Sequence, residues 1–185
     1  IKRLKKEKGT KVVQLGFDEP PNLRMILKLA KRANYSLEKL HDKIQGFSQY
    51  HERPIKLPKY LDEKFLYFAG LIAGDGNIKV TTDGVYSIRF SNSNKELREK
   101  FKSVVNELFG IEPKESVPSI SFNSKIIAHI LTRLGIPTSK FNKSDIGEVL
   151  LSLPNKELAA FIRGLFDSSG IIKDDGSSSI EFHST

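Results

Sequence analysis

The sequence predicts an α+β fold: a duplicated αββαββ unit with antiparallel sheets, its second copy incomplete, preceded by a small N-terminal helical segment. Three observations predict it. A short pattern occurs twice, as Phe68-Ala-Gly-Leu-Ile-Ala-Gly-Asp75-Gly76 and as Ile162-Arg-Gly-Leu-Phe-Asp-Ser-Ser169-Gly170. After each copy the apolar period changes from that of a helix to that of a strand. Each copy is then followed by a turn signal, Asp83-Gly84 in the first and Asp174-Asp175-Gly176 in the second. A repeat of this length marks a duplicated domain and is too long for a solenoid array.

The elements follow in order. Ile1 to Lys11 is a basic cluster (Lys2, Arg3, Lys5, Lys6, Lys8, Lys11), either a solvated end or a phosphate-contacting arm. Beyond Pro20-Pro21, Leu23, Ile26, Leu27 and Ala30 recur at helical spacing, with Arg24, Lys28, Lys31 and Arg32 on other faces. Leu37, Leu40 and Ile44 suggest a second short helix over Ser36 to Gln45. The pair is either a helix-turn-helix reader of DNA or a helical linker. Arg53-Pro54 to Leu57-Pro58 reads as a linker. Leu61 to Gly76 is helical and ends on a glycine that suits a left-handed cap.

In Asn77 to Thr81, Ile78 and Val80 share one face while Asn77, Lys79 and Thr81 share the other. The return strand Tyr86 to Ser91 buries Tyr86, Ile88 and Phe90 and exposes Ser87, Arg89 and Ser91. Ser93-Asn-Lys-Glu96 reads as a capping box opening a helix with Leu97, Phe101, Val104, Val105 and Leu108 inside. A second hairpin places Ile120 and Phe122 inward and Ser119 and Ser121 outward. A helix from Lys125 to Leu134 is ended by Gly135 and Pro137. Pro154-Asn155 opens the next helix, Lys156 to Gly170, and the cycle restarts. Ser179 to Thr185 matches Ser87 to Ser93. The expected division is 1–54, 55–150 and 151–185.

Composition bounds the function. Lys and Arg number 30 against 22 Asp and Glu, a formal +8, which favours nucleic acid first and an anionic surface second. No apolar run approaches the roughly 20 residues that span a bilayer, so no membrane role and a cytoplasmic location are expected. Without Cys there is neither a disulfide framework nor a thiolate metal site. His41, His51, His129 and His183 show no ligand spacing. With 38% apolar residues and 12 Phe, the chain can pack a core.

The doubled pattern carries the chemistry. Gly70 and Gly74 in one copy, and Gly164 and Ser168 in the other, stack on one helix face, so two such helices can approach backbone to backbone. Their C-terminal ends would then set residue 75 beside residue 169. Acids there lie at the negative end of each helix dipole, which disfavours ionisation and favours a bound cation. Oxygen ligands with open water positions suit Mg²⁺, and acids across a scissile phosphate suit metal-assisted phosphodiester hydrolysis. Asp167 lies two residues before Ser169, about 200° around the axis, so it points away and is expected to pair with Lys or Arg.

Both copies resemble the LAGLIDADG motif of homing endonucleases, and the order of elements between them is similar to that family's repeat. Leu134-Gly-Ile-Pro137 and Phe161-Ile-Arg-Gly-Leu-Phe-Asp167 look most like endonuclease domains embedded in inteins. The resemblance implies double-stranded DNA as partner, curved antiparallel sheets as the binding surface, and Mg²⁺-dependent cleavage. It implies a metal-binding acid at Asp75, with Gly74 and Ser168 beside it, and a basic residue near the active site, Lys140 or Lys143. Ser169 holds the place of the second acid, a departure that predicts weak cleavage, nicking or binding alone. The sheet residues Asn77, Lys79, Thr81, Ser87, Arg89, Ser91, Ser119 and Ser121 are candidate DNA contacts, as are Arg24 and Lys28. The alternative is a cleavage-inactive regulator or splicing helper that binds DNA or RNA. A completed second repeat implies a pseudo-symmetric monomer; an incomplete one implies association with another chain.

Overall fold

The computed structural model describes residues 23–44, 46–48, 54–138, 147–173 and 179–182. The chain forms two compact units, Ile1–Ile44 and Gln45–Thr185. In the first, α1 (Leu23–Arg32) is followed by a turn in which Asn34 adopts φ 50°, and by α2 (Leu37–His41). The second helix is shorter than the span Ser36 to Gln45 predicted from its leucines. Its five residues rise only about 7.5 Å, because Lys43 and Ile44 bond back in tight turns to Leu40 and His41.

The second unit begins at Gln45, ahead of the expected linker, and the described part of that linker is tied down. Phe47 and Ile55 exchange both backbone hydrogen bonds at 2.8 Å, Ile55 is buried, and Lys56 N donates to Phe109 O at 2.9 Å. Next comes α3 (Glu63–Asp75), capped by Asp62, whose side chain accepts from Phe65 N. Strands β1 (Gly76–Val80) and β2 (Tyr86–Ser91) form the first hairpin, and Gly84 takes φ 79° in its turn. Then follow α4 (Lys95–Phe109), β3 (Lys114–Ser116), β4 (Ser119–Asn123) and α5 (Lys125–Arg133). The N-cap of α4 is Asn94 rather than the Ser93 of the expected capping box; its carboxamide oxygen accepts from Glu96 N and Leu97 N. Asn reaches these orphan amides as well as Ser does, so the helix opens one residue later. A short α6 (Gly147–Leu151), which no sequence signal marked, precedes α7 (Asn155–Ser169) and the hairpin β5 (Gly170–Lys173) and β6 (Ser179–Phe182).

The main sheet is antiparallel in the order β1-β2-β4-β3, and β5-β6 form a separate two-stranded sheet. Alternation along the strands sends Ile78, Val80, Ile88, Phe90, Ile120 and Phe122 into the core. There they meet α3 and α4. Phe68 packs with ring centroids 5.3 Å from Phe109 and 5.8 Å from Phe101, and Phe101 stacks on Phe90 at 4.5 Å. Such pairs add about 0.5–1.5 kcal/mol each beyond the area they bury. This aromatic block fixes α3 against the sheet, and with it the position of Asp75.

Candidate active site and nucleic-acid interface

Helices α3 and α7 touch through their small residues. A β-carbon on Gly70 would lie 2.1 Å from Phe161 O, and one on Gly164 would lie 2.2 Å from Tyr67 O. At Gly74 the same atom would fall 1.9 Å from Ser168 Oγ and 2.9 Å from Ser169 Oγ. Gly70, Gly74, Gly164 and Ser168 therefore line one seam, and its end brings the tip of α7 against the tip of α3.

The expected left-handed cap at Gly76 is absent. Gly76 is extended, with φ −97° and ψ 162°, because β1 starts there without an intervening loop. Glycine is needed for space, not for φ: a β-carbon would lie 2.3 Å from Ile72 O. Gly170 repeats this arrangement after α7, with φ −78° and its missing β-carbon against Phe166.

Asp75 ends α3 and is half-buried. Burial holds its carboxyl above the usual carboxylate range, and a hydrogen bond from Asn92 opposes that rise. Asn92 was not singled out from sequence. Its Nδ2 donates to Asp75 Oδ2 at 2.5 Å and to Ser168 O at 3.2 Å, so one carboxamide joins the ends of the two motif helices. Ser169 is present at this end, but its hydroxyl donates to Leu165 O at 3.1 Å, as Ser168 Oγ does at 3.0 Å. Such back-bonding to the preceding turn is common for Ser within helices. Asp167 faces elsewhere: it accepts from Tyr67 OH at 2.8 Å and pairs with Lys100 Nζ at 3.3 Å and Arg163 Nε at 4.0 Å. Burial, and then the bond to Asp167, raise the Tyr67 phenol above its ordinary range.

The donor set at this end fits a hard divalent cation. Asp75 supplies one partly desolvated carboxylate and Ser168 a carbonyl at the negative end of α7, both oxygen. Mg²⁺ is usually held by one or two carboxylates and keeps several waters. Gly74 lies one residue from Asp75 in the same helical turn. Among the described residues there is no cluster of three or more His, Cys, Asp or Glu, at this end or at any other place. Lys140 and Lys143 lie outside the described residues. The last described residue before them, Thr138, makes a parallel bridge to Ile78, three residues from Asp75.

The outer face of the sheet starts at this site. Register aligns Asn77 with Arg89, Arg89 with Ser121, and Ser121 with Lys114, giving a polar and basic row across all four strands. Lys79, Ser87 and Asn123 form a second row, and Ser91, Ser119 and Ser116 a third, with Ser91 Oγ and Ser119 Oγ 2.8 Å apart. Lys114, Ser116 and Asn123 were missed because the short β3 and the end of β4 carry little alternation. Thr81 leaves the strand. It sits in the turn, where its hydroxyl accepts from Val85 N at 3.1 Å, because Val80 is the last ladder residue of β1. Arg24 and Lys28 are exposed on α1, in the other unit. Among the described residues no helix is long and apolar enough to cross a membrane.

Residues 62–150 match the LAGLIDADG-like domain. An A-type ATP synthase subunit of Methanopyrus kandleri is 32% identical over 117 residues, 60% of this chain and 10% of that protein. Reverse gyrase of Methanocaldococcus jannaschii is 29% identical over 150 residues, 80% of this chain and 9% of that protein. Another A-type ATP synthase subunit, from Pyrococcus abyssi, is 28% identical over 123 residues, 64% of this chain and 12% of that protein. The chain thus spans about a tenth of the length of these curated relatives. The crystal structure of I-DmoI in complex with DNA and Mn is similar at a TM-score of 0.43 and 16% identity, covering 60% of this chain and 64% of that one.

Proposed function

We propose that this chain is an intein-type homing endonuclease that binds double-stranded DNA on the outer face of its sheet and hydrolyses a phosphodiester beside Asp75, with cleavage impaired by Ser169. The observation that carries this reading is the place of Asp75. A half-buried carboxylate stands where two helices end, at the head of a basic and polar sheet face. The relatives support the insert. A segment filling about a tenth of proteins with names as different as ATP synthase subunit and reverse gyrase fits an insert better than a part common to their separate activities. A mobile element lodged in each host accounts for that distribution.

In this reading the sheet positions the duplex. Lys79, Arg89 and Lys114 neutralise phosphates, and the Asn and Ser side chains between them face base edges in the major groove. Asp75 and the Ser168 carbonyl would hold Mg²⁺, which supplies charge stabilisation and an acidified water. Water adds to phosphorus, the bond to the leaving oxygen breaks, and that oxygen takes up a proton. The second water proton passes to solvent. Lys140 or Lys143, which follow Thr138 in the sequence, would stabilise the added negative charge. Ser169, neutral and bonded back to Leu165 O, offers the opposite side no anionic ligand.

Cleavage of a randomised-target plasmid library by the parent, Ser169→Asp and Asp75→Asn proteins tests the proposal. Slow nicking by the parent, faster double-strand cleavage by Ser169→Asp, and none by Asp75→Asn are expected. Robust double-strand cleavage by the parent would overturn the impairment. The second reading, binding of DNA or RNA without cleavage, is favoured by Ser169 alone. It predicts a footprint that survives chelation and no cleavage by any of the three proteins.

A further inference from the structure

Asn92, whose side chain reaches Asp75, is itself held by several hydrogen bonds. Its own amide donates to Pro118 O at 3.2 Å, and its carbonyl accepts from Arg98 Nη1 at 3.0 Å. That arginine is only 6% exposed, also donates to Ser93 O at 2.9 Å, and pairs with Glu115. The side chain is fixed at its far end as well, since Oδ1 accepts from Asn94 N at 2.8 Å. This contact sets the orientation of the carboxamide. A flip would turn Nδ2 toward the Asn94 N–H, donor against donor, and would take both donors away from Asp75 and Ser168.

The two oxygens that Nδ2 reaches, Asp75 Oδ2 and Ser168 O, are the pair that would ligate the cation in the function proposed above, and the inference rests on that reading. An amide has two hydrogens, one for each oxygen. A cation bridging the two oxygens at its usual distance of about 2.0–2.1 Å from each would take the space beside them that Nδ2 occupies. We propose that the Asn92 carboxamide is a competitor for the cation position: it ties Asp75 to the end of α7, and it must swing away for a divalent ion to bind. The frame around Oδ1 disfavours the other role, in which Asn92 would turn its oxygen inward as a ligand. Asn92 is therefore a positioning residue of the metal-free arrangement that sets a threshold for metal loading.

Mn²⁺ binding without DNA tests this, by calorimetry and by electron paramagnetic resonance, on the parent, Asn92→Ala, Asn92→Asp and Asp75→Asn proteins. Asn92→Ala is expected to bind Mn²⁺ about thirtyfold more tightly, the factor corresponding to loss of the two competing hydrogen bonds. Asn92→Asp keeps the acceptor for Asn94 N and adds a carboxylate, so it should bind more tightly than Asn92→Ala. Parent affinity equal to or above that of Asn92→Ala would overturn the proposal, because Asn92 would then be a spectator or a ligand. Should either variant fail to fold by circular dichroism, the parent decides. Its Asn92 side-chain amide signals should move toward those of a free amide as Mg²⁺ is added, and signals that stay fixed while the site fills would overturn it. Mn²⁺ binding that Asp75→Asn leaves unchanged would overturn the metal reading itself, and this inference with it.

Discussion

Gly164 lies so close to Tyr67 that a β-carbon on it would sit 2.2 Å from the tyrosine carbonyl oxygen. The reciprocal contact, Gly70 against Phe161 O, leaves no side on which the two helices can yield. Gly164→Ala and Gly70→Ala must separate the backbones, and each is expected to destabilise by about 3 kcal/mol, the upper range for overpacking. Gly84→Asn is the control: Gly84 has nothing within 4 Å and a left-handed φ that Asn tolerates. Urea unfolding of the three variants checks the difference.

Asp75 gives a pH signature. Burial raises its folded-state pKa above the unfolded value, so the folded chain keeps a proton over a window in which the unfolded chain has lost it. Stability therefore falls as pH rises through that window, and the ionised carboxylate costs stability above it. Without divalent ions, Asp75→Asn is expected to be more stable than the parent at neutral pH. The advantage should vanish below the ordinary carboxylate range. Thermal melts in chelator across pH test it, and an Asp75→Asn protein less stable at neutral pH contradicts it.

The sheet face predicts a salt signature. Lys79→Ala, Arg89→Ala and Lys114→Ala should each lower the slope of log affinity against log salt by about 1, if each neutralises one phosphate. Asn77 and Ser121 flank Arg89 in the central row, so Asn77→Ala and Ser121→Ala should instead relax sequence preference with little change in the salt slope. Fluorescence anisotropy with a duplex at several salt concentrations separates the two effects.

Asp167 provides a structural contrast to Asp75. Tyr67→Phe removes the 2.8 Å bond between α3 and α7 and is expected to cost about 1 kcal/mol. Mn²⁺ affinity should not change, because Asp167 pairs with Lys100 and Arg163 rather than with the Asp75 end. A parallel loss of Mn²⁺ binding would show that the two ends are coupled.

The α+β fold was legible because its helices and strands differ sharply in period. Ile78 and Val80, then Ile88 and Phe90, alternate with polar neighbours, and all four are buried as that alternation predicts. The small residues at four-residue spacing likewise predicted where α3 and α7 touch. Boundaries were less legible. Gly76 has the look of a cap, but the chain passes straight into a strand, and steric crowding from Ile72 rather than φ requires the glycine. Asn94 displaced Ser93 as N-cap because two adjacent residues can both accept the orphan amides. Asn92 carried no signal at all. It follows a strand, belongs to no spacing rule, and acquires meaning only when the fold carries it across to the ends of two helices 17 and 76 residues away.

The direct passage from α3 into β1 has one more consequence. Asp75 is the last residue of the helix and Asn77 the second of the strand, so the acid and the first outward-facing side chain are separated by at most about 7 Å of chain. No loop lies between them to stretch or fold. The sheet and the carboxylate thus behave as the scale and the pointer of one ruler. Wherever the outer rows come to rest along a partner, the place where the acid falls is already measured out, and a single residue inserted after Gly76 would move the mark.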